Sequence, residues 1–322
     1  MLSLSQLRRR GDPGGVGLVR CVSATVDGVF CVASLVPSPP VLVPELGGAA
    51  GAAVSGEVAG LRAAVLGAAG ALADRAARWV VVGVDAEVTS EFVLVGVSAA
   101  SDGTAAGASG AGAVRAFGPE TVGSFRGYGV DVRVGLSGIS DREPSKQSAN
   151  AAPTPAGDSD GVIADPTLPL PVLIGGWLRE TVAPEAVAEA RVLCADAAPA
   201  DCLEFGRRLR AELDARPEPC GVLVVADGAA TLSLAAPRYF DERAQDVQAG
   251  IDRALDAGDR SALAALDSAL CAELAVGGRA AYQVLAGLFV ADVADPRVET
   301  RYAAAPFGVG YHASVWLPGE RT

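Results

Sequence analysis

Apolar residues fall along this chain in short blocks that alternate with helical stripes. Phe30 to Val36 is an apolar run of strand length, closed by Pro37-Ser38-Pro39-Pro40. Prolines do not continue a central ladder, so the chain leaves the sheet there. From Glu57 to Ala76, the positions Val58, Leu61, Val65 and Leu72 share one helical stripe. Trp79 to Val84 reads as a buried strand with Asp85 and Glu87 after it, and Phe92 to Val97 as another. Further strands are expected at Val130 to Leu136, Pro171 to Ile174 and Arg191 to Ala195. Asp201 to Ala215 is helical through Leu203, Leu209 and Leu213. Gly221 to Ala226 is the strongest strand signal, and it runs into the turn Asp227-Gly228-Ala229-Ala230-Thr231. Helices are predicted over Asp241 to Ala257, stopped by Gly258, then over Ser261 to Ala275 and Arg279 to Phe289. Tyr311 to Leu317 closes the chain as a strand.

Strands separated by helices at this spacing predict an α/β fold. Its sheet is mixed, largely parallel and sandwiched between helical layers. One domain is expected over residues 29–322, after an N-terminal extension, 1–28, that reads as disordered. Two stretches without apolar period, 99–113 and 140–165, read as flexible insertions.

A turn at the end of a buried strand is where α/β proteins place ligands. Ser38, Pro39, Glu45, Asp85 and Asp227 are the candidate cleft residues by that rule. Asp85 and Asp227 have two readings. They cap the helices or turns that follow them, or they converge with Ser38 and Glu45 into an oxygen-rich pocket. Such a pocket suits magnesium, manganese or calcium, with Asp85 and Asp227 as its metal candidates.

Composition narrows the partners. The net charge of −12 argues against nucleic-acid phosphate and anionic membrane surfaces. The six cysteines show no C-x-x-C spacing, so no thiolate metal site is expected. The start has its arginines after a short apolar patch, the reverse of a signal peptide. The apolar stretch Val54 to Leu72 carries Glu57 and Arg62, which favours a soluble helix. The expectation is a cytoplasmic protein with free thiols. His312 is the single histidine, remote from any serine elbow, so no Ser-His-Asp triad is expected. The sole lysine, Lys146, lies in an insertion, and no phosphate-binding G-x-x-x-x-G-K-[ST] occurs.

Five segments together resemble a known family. They are Leu35 to Gly48, with its Pro-x-Pro-Pro-x-Leu-x-Pro-Glu; Ser124 to Asp131; Val222 to Tyr239; Gly278 to Gly287; and Pro306 to Tyr311. In this order they resemble the class III extradiol ring-cleavage dioxygenases, in the branch of the protocatechuate 4,5-dioxygenase β subunit and Memo-like proteins. Within it the chain is most similar to alanine-rich actinobacterial members. The resemblance implies that family's catalytic-subunit fold, and an iron held by two histidines and a carboxylate. It also shows what this chain lacks. Ser38 stands where the family has its first ligand histidine, and Asp85 follows the strand that carries the second. The acid/base histidine belongs to the turn that reads Asp227 to Thr231 here, which makes Asp227 and Thr231 the catalytic candidates. No residue is matched to the carboxylate ligand. The resulting expectation is a scaffold inactive as a dioxygenase, without a cofactor, that binds a small molecule or a protein partner in the old cleft. The alternative is an active dioxygenase or hydrolase with Fe(II) or another divalent cation in a carboxylate-rich site. A homo-oligomer is compatible with either.

Overall fold

The computed structural model describes residues 30–47, 56–85, 114–138 and 164–319. The expected extension 1–28, the strand at 92–97, the insertion 99–113 and all of 140–163 lie outside the described residues.

In chain order the elements are β1 (Phe30–Val36), α1 (Gly56–Ala73), β2 (Arg78–Asp85), β3 (Val114–Phe117), β4 (Val122–Ser124), β5 (Arg133–Gly135), α2 (Leu170–Val182), β6 (Val187–Cys194), α3 (Pro199–Asp214), β7 (Cys220–Val225), α4 (Arg243–Ala257), α5 (Arg260–Ala264), α6 (Ser268–Glu273), α7 (Arg279–Phe289), β8 (Arg297–Ala304) and β9 (Tyr311–Leu317). A seven-stranded sheet has the order β3-β6-β2-β7-β1-β9-β8. Its centre, β6-β2-β7-β1, is parallel, and β3, β9 and β8 add antiparallel flanks. β4 and β5 form a separate small ribbon. The fold is therefore α/β with a mixed, largely parallel sheet.

Strand alternation divides the core between two faces. Val80, Val82, Val84, Val222 and Val224 pack with α3 to α7. Trp79, Val81, Leu223 and Val225 pack with α1 and α2. The apolar runs of β1, β2 and β7 are thus buried on both sides, as parallel strands require. α1 is long and apolar enough to cross a membrane by composition. It nevertheless lays Leu61, Val65 and Leu72 on the sheet, each fully buried. Ser34 is buried under it and satisfies its hydroxyl on the Ala68 carbonyl at 2.8 Å.

Several expectations need correction. Pro171 to Ile174 is not a strand but the first turn of α2. Pro171 is tolerated there because the first turn needs no N–H from it. The run is buried all round, so periodicity did not separate helix from strand. The expected helix Ser261 to Ala275 is two short ones. Asp267 caps the second by accepting from Leu270 N at 2.8 Å, and this new start breaks the first. β5 is shorter than the expected Val130 to Leu136, because Phe125 to Tyr128 and the left-handed Gly129 turn the chain first. β3 and β8 were not expected. β8 is an exposed edge strand with alternating charge, so it lacks an apolar signal. At the end of the 140–165 insertion, Asp165 is ordered by backbone bonds to Val122 and Ser124.

Candidate functional site

β1 leaves the sheet toward α1 on one face, whereas β7 leads to α4 on the other. Neighbouring parallel strands whose exits diverge leave a crevice at their C-terminal ends. Ser38 and Asp227 meet in that crevice. Asp227 Oδ1 accepts from Ser38 N at 2.8 Å, and Oδ2 accepts from the Ser38 hydroxyl at 2.5 Å. Asp227 therefore does not cap its own turn, one of the two readings its position allowed. Its carboxylate reaches across to the exit of β1.

The turn from Asp227 to Thr231 is fastened from three sides. Gly228 N donates to Gly310 O at 2.7 Å, and Gly278 N to Asp227 O at 2.7 Å. Ala229 N donates to Gln248 Oε1 at 2.8 Å. Gly278 admits this approach because a Cβ there would sit 2.7 Å from Asp227 O. Burial pushes the Asp227 carboxyl above its ordinary value, and the two bonds from Ser38 oppose that rise. Burial, with Asp227 and Asp252 nearby, also holds the unpartnered Tyr282 hydroxyl well above its usual range.

Two cavities of about 800 Å³ each meet at the Ser38–Asp227 pair. Ser38, Asp85 and Asp227 all line the first, although they come from three separate strand ends. Asp85 is ion-paired there with Arg115 at 3.2 Å. Pro39 and Thr231 line the second, where the Thr231 hydroxyl donates to Leu274 O at 3.2 Å. Glu45 is exposed on a 3-10 turn and lines neither, so the structure does not bring it to the cleft.

These residues do not fit an iron held by two histidines and a carboxylate. Both carboxylate oxygens of Asp227 are engaged by Ser38, and Asp85 is paired with Arg115. His312 is buried on the face of β9 toward α4, with Nε2 on Asp256 Oδ1 at 3.1 Å. Among the described residues, no three His, Cys, Asp or Glu side chains come together to hold a metal ion. Asp85 and Asp227 thus line one cavity, each already engaged by its own partner.

Sequence reasoning missed Arg115, Leu170, Gly277, Arg279 and Tyr311 as cavity residues. Gly277-Gly278-Arg279, opening a helix, and Tyr311, opening the last strand, carried a signal, and each reads equally as a plain element start. No protein-family model matches the chain, and no curated protein matches it.

Proposed function

We propose that this chain is an extradiol-dioxygenase-like scaffold that binds a small organic molecule in its cleft and does not cleave aromatic rings. The observation that supports this is the Ser38–Asp227 bond at the switch point of the sheet, with a cavity on either side. A ligand histidine at position 38 would leave its ring nitrogen free for metal. Serine instead spends its hydroxyl on the carboxylate beside it. Binding sites of α/β proteins lie at such strand ends, and each cavity falls within the volume range of small-molecule pockets. A cytoplasmic location accords with this reading, since the described cysteines are free thiols.

The test uses Gly277, which lines both cavities and whose added Cβ would meet open space. A fragment collection is screened by ligand-observed NMR against the wild-type chain and Gly277→Leu. Occupants of the cleft should bind the wild type and be lost in the variant, with the melting temperature retained. No binding at all, or binding indifferent to Gly277→Leu, contradicts the proposal.

A further inference from the structure

The second cavity has a charge that the Ser38–Asp227 pair does not explain. Arg279 lines it and is buried, with only 4 % of its surface exposed. A buried cation is costly unless its charge is answered. Its Nη1 donates to Ala197 O at 2.6 Å and to Gln283 Oε1 at 2.9 Å, and its Nη2 to Ala195 O at 2.7 Å. These are neutral oxygens. They fix the planar fork without cancelling its charge. Gln283 is itself held by donating to Leu266 O at 3.2 Å, so the clamp is preorganised.

Three acids share this lining, Asp196, Asp227 and Glu273. Glu273 pairs with Arg243 at 2.8 Å, and both oxygens of Asp227 accept from Ser38. Asp196 and Arg238 are exposed residues of the same lining. Arg279 is also the first residue of α7, an eleven-residue helix with no acidic side chain in its first turn and no side-chain cap. The helix dipole therefore adds positive potential where the guanidinium already stands. Leu170, Val276 and Val309 give the same cavity an apolar wall.

We infer that the second cavity binds a compact organic anion, with its carboxylate or phosphate group at Arg279 and its apolar body against Leu170, Val276 and Val309. This names the ligand class for the cleft proposed above and rests on that reading. Three of the five guanidinium N–H groups are spent on those oxygens, so the anion would be held by the remaining Nε–H and Nη2–H.

Cyclohexanecarboxylate, cyclohexylphosphonate and the neutral cyclohexanecarboxamide distinguish the possibilities on the full chain. Dissociation constants are measured by ligand-observed NMR and calorimetry. At least one acid should bind about ten- to a hundredfold more tightly than the amide, the worth of a charge-assisted hydrogen bond. The two acids then show which anion the site prefers. Arg279→Gln should bring the preferred acid down to the level of the amide. Gly277→Leu leaves the arginine in place and should exclude acid and amide alike, so the test survives if Arg279→Gln does not fold. Equal binding of acid and amide overturns the anion site and leaves the small-molecule cleft standing. Acid binding that persists in Gly277→Leu places the anion elsewhere and also overturns it. If no acid binds while neutral fragments occupy the cleft, the anion site alone falls. If nothing binds, both readings fall.

Discussion

Ser38 donates its backbone N–H and its hydroxyl to the two carboxylate oxygens of Asp227, a residue 189 positions later in the chain. The contact joins the exits of β1 and β7, whose ladder continues through Ala226 N to Val36 O at 2.9 Å. One polar pair thus fixes the geometry between the two cavities.

Ser38→Ala removes one of these bonds and leaves Asp227 Oδ2 without its hydroxyl donor. The expected cost is about 1–3 kcal/mol, the range for stripping a partner from a partly buried charged acceptor. Urea unfolding measures it. An unchanged midpoint would show that water replaces the hydroxyl without loss.

The Asp227 carboxyl is raised from 3.8 by burial, so the folded chain holds this proton to higher pH than the unfolded chain does. Above 3.8 the native state therefore binds more protons at this site, and stability falls as pH rises. The contribution is greatest below 3.8, declines up to the folded value, and is level beyond it. Asp227→Asn removes that slope. Urea midpoints from about pH 3 to about pH 7 should shift in favour of the variant, relative to wild type, as pH increases. A shift in the opposite sense would mean that the bonds from Ser38 outweigh burial.

α3 and α7 touch backbone to backbone through Gly206 and Gly287. A Cβ at Gly287 would lie 2.4 Å from Leu203 O. Gly287→Ala should destabilise by about 1–3 kcal/mol through overpacking. That exceeds or offsets the ~1 kcal/mol that alanine gains in helix propensity. A rise in the denaturation midpoint would show that the two helices separate freely.

The central strands, α7 and β9 were legible because their apolar runs are bounded by clear breakers, such as Pro37 after β1 and Gly278 before α7. α2 was not, since Leu170 to Ile174 is apolar without period and its helical state is decided by packing against β2. Gly83 shows how close that packing is: a Cβ there would lie 2.2 Å from Pro171 Cβ. β8 was missed because Arg297, Glu299 and Arg301 face outward on an edge. Ser38 and Asp227 were each visible as strand-end residues. Their bond was not, because it depends on β7 lying next to β1, and strand order is not written in local pattern. Arg279 was hidden for the same reason: its carbonyl partners come from the loop after β6.

Oxygen uptake tests the chemistry of the Ser38–Asp227 cleft most directly. The chain is loaded anaerobically with ferrous iron and then given protocatechuate or substituted catechols in aerated buffer. On the proposed reading, the absence of an acid/base imidazole alone would lower a rate by about two to four powers of ten. Without ligand histidines, oxygen activation by bound iron is lost as well. The predicted result is no uptake above the free-iron background, for the wild type and for Ser38→His alike, because on the proposed reading one histidine does not rebuild the site. Turnover above that background by the wild type would contradict this and would assign a working metal site to Asp85 or Asp227.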